Sequence, residues 1–244
     1  KTVKRAGKVH LVGIAGVVGV LVAMLAMGAG FKATLDSTGD DTSAIVLRGG
    51  SQAETNSVIT RDQVPLIGTL AGIARDAQGR PLLSPELSQV VNLPSKADGT
   101  DVNAQFRGVG ELAWAVHDKV RLIEGRRFAP GLREIVVGQG ARSQFRGLDV
   151  GKTLALGNQQ WTIVGVFASG DAHDSELWTD AETLASTYNR SSYQSITVRT
   201  AGTAGFTAFK AAMDADPRLK LDVSTTRAYY GKQSGQLATL INVL

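Results

Sequence analysis

From 9 to 31 the chain runs without a charged residue through Val, Leu, Ala, Gly, Met and Ile, interrupted only by His10 and ending on Phe31. A helix of about 20 such residues crosses a hydrocarbon core of roughly 30 Å, so the pattern predicts a membrane span. A cleaved leader would have a shorter apolar stretch, about 7–15 residues, ending in a small-residue cleavage site. Within the run, Ala15, Gly19 and Ala23 recur every fourth position, with Gly13 and Gly16 near the same face, a stripe that lets another helix approach closely in lipid.

Beyond Lys32 the periodicity breaks into short segments. Apolar alternation or short apolar runs predict strands over 44–48, 89–93, 103–107, 120–124, 134–137, 153–156, 161–167, 195–199 and 220–223. Helices are expected over 62–70, with Thr60 as its cap, and over 111–116, 180–188 and 206–213. Gly49-Gly50, the stretch 76–81 and the stretch 94–100 carry the Gly, Pro and Asp chemistry of turns. Short strands and helices interspersed in this way predict an α+β fold. From Thr226 the pattern is helical again, and after Leu237 it turns nearly apolar as the sequence reaches Leu244. That run is read as the start of a second membrane helix, and the chain, whose first residue is Lys1, as a fragment at both ends.

Charge sets the orientation. Lys1, Lys4, Arg5 and Lys8 precede the apolar run while Asp36, Asp40 and Asp41 follow it, which places the amino end in the cytoplasm and the rest outside. These four account for the net charge of +4, since the other 22 Lys and Arg balance 22 Asp and Glu. The basic balance is therefore a topology signal and excludes a nucleic-acid face. The chain has no cysteine, hence no disulfide framework, thiolate site or cysteine nucleophile.

Catalytic motifs fail on inspection. Gly147 through Thr153 resembles a phosphate loop with one residue too few between its glycines, and the segment after it reads as a strand where a helix should open. Gly108-Val109-Gly110-Glu111-Leu112-Ala113 fits the loose dinucleotide fingerprint but opens too short a helix. Asp171, His173, Asp174 and Glu176 have the side chains for a metal, yet in a segment that reads as a solvated acidic loop. His10 and His117 have no acidic or serine partner at a recognisable spacing.

Five segments carry a family resemblance: Ile45-Val46-Leu47-Arg48-Gly49-Gly50-Ser51 followed by Glu54 and Ser57; Leu122-Ile123-Glu124-Gly125-Arg126-Arg127-Phe128; Glu134-Ile135-Val136-Val137-Gly138; Leu148-Asp149-Val150-Gly151-Lys152-Thr153-Leu154; and Trp161-Thr162-Ile163-Val164-Gly165-Val166-Phe167. In this order the chain resembles the amino-terminal half of a MacB/FtsX-type ABC transporter permease with its MacB-like periplasmic core domain. In physical terms Gly125 and Gly151 suit turns of positive φ, Phe128 packs under its loop and Trp161 anchors a core strand. The resemblance implies a cytoplasmic tail (1–8), a first span (9–31), a linker (32–43), a porter-like lobe (44–130 with 192–225), an inserted Sabre-like lobe (131–191), and a stalk (226–244, with Thr226, Ser234 and Leu237) entering a second span. It also implies a non-catalytic subunit of the inner membrane, largely periplasmic, that converts hydrolysis of Mg-ATP on a cytoplasmic ATP-binding partner into movement, with no cofactor of its own. Implied partners are that ATPase, a second permease, a periplasmic adaptor or envelope protein, and lipid. An FtsX-like activator of a cell-wall hydrolase and a plain membrane-anchored binding domain are the alternatives.

Overall fold

The computed structural model describes residues 37–243, with backbone only from 236, and before them 18–20, 22–23, 25–26, 28–30 and 33–34. Most of the expected first span, with Ala15, lies outside the described residues. Its described positions are helical, and Val18, Val20, Val22 and Leu25 turn outward and exposed. Among the described residues no helix is long and apolar enough to cross a membrane.

Ten strands among the described residues form one mixed sheet: β1 (Ser43–Arg48), β2 (Leu83–Pro94), β3 (Asp101–Val109), β4 (Arg121–Gly125), β5 (Glu134–Gly138), β6 (Thr153–Leu156), β7 (Gln159–Ala168), β8 (Glu176–Asp180), β9 (Ser195–Arg199) and β10 (Leu221–Thr225). Their order is β10-β1-β9-β2-β3-β8-β5-β7-β4, with β6 pairing the start of β7. The hinge of this arrangement is β2. Its first residues, Leu83 to Glu86, pair with β9, and Leu87 onward pairs with β3, so one strand joins the two halves of the sheet.

Alternation decides what each face buries. In β1, Ala44 and Val46 face Phe209 and Met213 of the helix Gly202–Ala215, together with Ile67 of the helix Gln63–Gly68. Ile45 and Leu47 face the other way, onto Tyr229 and Tyr230 of the C-terminal helix Thr226–Val243. In the second half, Phe106 meets Trp161 edge-on at 5.0 Å beneath the helix Ala181–Thr187, while Val136, Phe167 and Trp178 line the opposite face with Trp114. Asp180, expected as the first residue of the helix, stands one position before it as its cap, accepting from the Thr183 N–H at 3.0 Å.

The α+β expectation holds, with local corrections. The predicted strand over 89–93 is the tail of β2, whose first half contains Pro85, a residue that reads as a breaker but here occupies a ladder position opposite Ile196. Asp62, not Thr60, stands at the cap of the helix Gln63–Gly68, and Gln63 Oε1 instead accepts from the Thr60 N–H at 3.0 Å. The polar helix Gln139–Gln144 has no apolar period to betray it. The largest correction is β8: the stretch read as a solvated acidic loop is a short 3-10 turn, Ala172–Ser175, followed by a strand buried at every position. Gly125 adopts φ 70° and Gly151 φ 86°, as their turns require.

Candidate functional site

On one face of the sheet, at the junction of its two halves, a buried arginine is surrounded by carboxylates. Arg107 lies one position beyond Phe106 in β3 and therefore points to the opposite face, beside Trp178 of the neighbouring strand. It is 3% exposed. All five of its N–H groups are used by three glutamates. Nε and Nη2 donate to Glu176 Oε2 and Oε1 at 2.9 and 3.0 Å; Nη1 and Nη2 donate to Glu54 Oε1 and Oε2 at 2.8 and 3.2 Å; Nη1 also donates to Glu86 Oε2 at 3.0 Å. Two of the three contacts are thus bidentate, the geometry that suits a guanidinium best.

The carboxylates carry further donors. Ser195 Oγ donates to Glu54 at 2.6 Å, and Trp178 Nε1 donates to Glu176 at 2.7 Å. His117 Nε2 lies 2.6 Å from Glu86 Oε1, and His173 Nδ1 lies 3.2 Å from Glu176 Oε2. The two imidazoles meet edge to face, 5.0 Å between ring centres, and each also packs on Trp178. Burial alone pushes the Glu86 carboxyl up, but the charge of His117 and its hydrogen bond, with Arg107 and Ser84, outweigh it and bring Glu86 down to about 2. Glu176 is likewise held well below the usual range by Arg107 and His173 against the cost of burial. Arg107, for all its burial, is held even more firmly protonated than usual by Glu176, Glu54 and Glu86.

Both chain segments that bound the domain arrive at this cluster. The segment after the predicted span reaches it through Thr38, whose Oγ1 accepts from the Ala172 N–H at 3.0 Å, beside His173. The C-terminal helix reaches it through Tyr229, whose Oη accepts from the Glu54 N–H at 3.4 Å, and through Tyr230, stacked edge-on to His173 at 6.3 Å. These segments also bind each other. Asp40 N–H donates to Thr226 Oγ1 at 2.9 Å, the Arg227 N–H donates to Asp40 O at 3.2 Å, and Arg227 pairs with Asp41 at 3.0 Å. They approach so closely that a Cβ on Gly39 would sit 2.3 Å from the Arg227 nitrogen, which only glycine permits.

The residues singled out in the sequence fall in several places. Gly49, Gly50 and Ser51 form the corner after β1 that delivers Glu54: the Gly50 N–H donates to Asp222 Oδ2 at 2.7 Å, Gly50 has φ 81°, and Ser57 Oγ accepts from the Arg48 N–H at 2.8 Å. Of the acidic group, His173 and Glu176 belong to the cluster. Asp171 accepts from the His173 N–H at 3.0 Å and Asp174 from the Ser169 N–H at 2.6 Å, so both hold the turn. Among the described residues no set of three or more His, Asp or Glu is disposed to hold a metal ion. Gly125, Arg126, Phe128, Gly151, Trp161 and Gly165 lie in the far half, where Arg126 pairs with Glu134, Phe128 packs near Trp114 at 6.3 Å and Trp161 Nε1 donates to Leu156 O at 3.1 Å. Thr226 is at the junction and Ser234 is buried on the C-terminal helix, its Oγ donating to Gly231 O at 2.9 Å; the Leu237 side chain is outside the described set. Gly19 and Ala23 are exposed.

Sequence reading missed Glu86, Arg107, His117 and the two tyrosines as members of one site. No local signal marked Arg107: it falls on the polar phase of an alternating strand, on the same face as Asp101, Asn103 and Gln105, where a solvated arginine is in place.

Comparison with known proteins agrees with this architecture. The periplasmic region of MacB from Actinobacillus actinomycetemcomitans superposes with a TM-score of 0.56 at 14% identity, covering 80% of this chain and 92% of that one. The extracellular domain of the noncanonic ABC-type transporter YknZ from Gram-positive bacteria superposes with a TM-score of 0.56 at 15% identity, covering 75% and 99%. At these identities the likeness is one of fold. No curated protein matches the sequence. The family model described as MacB-like periplasmic core domain matches residues 9–216, most of the chain, and the protein belongs to that family.

Proposed function

We propose that this chain is the outward-facing part of an ABC transporter permease, carried on membrane helices and moved by ATP hydrolysis on a cytoplasmic partner. The observation that carries the reading is the pairing of the two bounding segments, 37–43 and 226–230, which are bonded to each other and to the same buried cluster. A domain held at one point by two adjacent chain segments responds to their relative displacement. A domain hung from one flexible tether would not.

Further observations support the membrane placement. Val18, Val20, Val22 and Leu25 present uncovered apolar side chains on a helical segment, as lipid contact requires. The basic positions before that segment and the acidic ones after it fit an outward-facing domain. In this reading ATP and Mg²⁺ belong to the partner, and a second permease packs against the stripe of Ala15, Gly19 and Ala23. The outer domain is read as a porter-like part built on 44–130 with 192–225 and a Sabre-like part built on 131–191, joined through one sheet in which β3 and β4 pair with strands of the second part, and it offers its faces to an adaptor or envelope protein.

The test is mechanical. A proline at Ser234, inside the C-terminal helix, removes a backbone hydrogen bond and costs about 3 kcal/mol, while alanine does not. Ser234→Pro is expected to leave the permease assembled with its ATPase and hydrolysis running, yet to lose transport, with Ser234→Ala behaving as the parent. Failure to co-purify an ATP-binding subunit, or full transport from the proline variant, would sink the reading.

A further inference from the structure

The cluster around Arg107 is short of positive charge. One guanidinium faces the carboxylates of Glu54, Glu86 and Glu176, leaving two negative charges without a permanent counter-ion in a largely buried site. The groups placed to supply the balance are His117, against Glu86, and His173, against Glu176. The neighbouring charges do not substitute for them. Nearby, Arg199 pairs with Asp40 and Asp118, and Lys119 is bound to Ser37 O. Asp171, beside His173, adds to the negative side. From the remaining packed elements His173 meets Arg107 of β3, Tyr230 of the C-terminal helix and the ring of His117; His117 meets the rings of His173 and Trp178.

We propose that this site is a proton-operated latch: protonated His173 supplies positive charge that Arg107 alone does not and holds the two bounding segments on the domain, and loss of that proton releases them. The geometry gives the latch its reach. The turn that carries His173 is bonded to Thr38 through the N–H of the adjacent Ala172, and the His173 ring meets that of Tyr230, so both segments attach within one residue of this imidazole. Glu54, at the opposite side of Arg107, donates its backbone N–H to Tyr229. Burial presses His173 toward its neutral form, but the charge and hydrogen bond of Glu176, with the charge of Asp171, outweigh burial and the opposing Arg107, and hold it above the ordinary 6.5. Because the proton is bound more tightly in the folded state, its contribution is complete below 6.5 and is lost as pH rises through the raised value. The latch is therefore closed in mild acid and opens toward alkaline pH. This adds proton sensitivity to the mechanical reading, and since it is tested on the isolated chain its failure would leave that reading standing.

The test uses the full 244-residue chain in detergent, with protons as the probe. Ring resonances of the three histidines, assigned with His117→Gln and His173→Gln, give each midpoint directly. The chain has no cysteine, so Lys220→Cys with Lys232→Cys places one spin label on the domain and one on the C-terminal helix. The expected result is a His173 midpoint above 6.5, a single narrow distance at pH 5.5, and at pH 8.5 a broadened distribution that follows that midpoint. His173→Gln should be broad at both pH values, with circular dichroism reporting that the domain is folded. A His173 midpoint at or below 6.5, or a parent distribution identical at the two pH values, would overturn the proposal; both are read on the parent and do not depend on the variant folding.

Discussion

Replacing Arg107 by methionine keeps most of the side-chain volume and removes the one permanent positive charge among three buried carboxylates. Breaking a buried ion pair on one side costs about 3–5 kcal/mol, and here three partners are stripped together. If all three stayed ionised, the loss would approach the whole stability of a domain, about 5–15 kcal/mol. A cheaper route exists. Protonating a glutamate of ordinary pKa at pH 7 costs roughly 3 kcal/mol, falling by about 1.4 kcal/mol for each pH unit toward its pKa. The expected penalty for Arg107→Met is therefore about 3–6 kcal/mol at pH 7 and shrinks by at least about 1.4 kcal/mol per unit down to pH 5. Urea unfolding of the full chain, followed by the fluorescence of the buried Trp161 and Trp178, measures it at pH 7, 6 and 5. A penalty under about 1 kcal/mol at pH 7, or one unchanged at pH 5, would refute the reasoning, because either would mean that the carboxylates do not depend on Arg107 for their charge.

Three further outcomes follow from the same geometry. In the parent, Glu86 is held at about 2 in the folded state, so its contribution is present above the ordinary 4.5 and disappears as pH falls toward 2; its share of the acid decline in unfolding titrations should be on the order of 3 kcal/mol, and Glu86→Gln should make the decline shallower by that share. Gly39→Ala places a methyl 2.3 Å from the Arg227 backbone and should separate the bounding segments, seen as at least tenfold faster amide exchange at Arg227 with the exchange of β7 unchanged. Asp180→Ala removes the cap of the helix Ala181–Thr187 and should cost about 1 kcal/mol in urea unfolding, most of it recovered by Asp180→Asn.

What the sequence disclosed and what it hid divide along one physical line. Segments stabilised by their own pattern were legible: the alternation of Trp161, Ile163 and the residues after them, the ladder at Ser195–Arg199, the glycine turns at Gly125 and Gly151, the cap at Asp180. These depend on residues a few positions away, and local sequence contains them. β8 was hidden because Asp171, His173, Asp174 and Glu176 carry the composition of a solvated loop, and Glu176, which opens the strand, is buriable through its pairing with Arg107, 69 positions away. Glu86 and His117 stand 31 positions apart, and Glu54 and Ser195 stand 141 apart. No window reading can price a buried charge when its counter-charge is on another strand.

That same distance bears on why the cluster lies where it does. A buried ion network is a poor source of stability, since an apolar replacement of equal volume often does as well or better. Its distinctive property is that it is satisfied in one arrangement only: five donors on Arg107, three carboxylates and two imidazoles must arrive from β2, β3, β8, the 3-10 turns Glu54–Asn56 and Ala172–Ser175 and the segment after the helix Ala113–Val116 at once. An apolar core at this point would tolerate small slips between the two halves of the sheet, because hydrophobic contact has no direction. Hydrogen-bonded charge does not tolerate them. Placed beneath both bounding segments, such a network would, on the proposed mechanical reading, make their attachment a choice between two states, which is what a displacement delivered through a pair of helices needs if it is to be passed on undiminished.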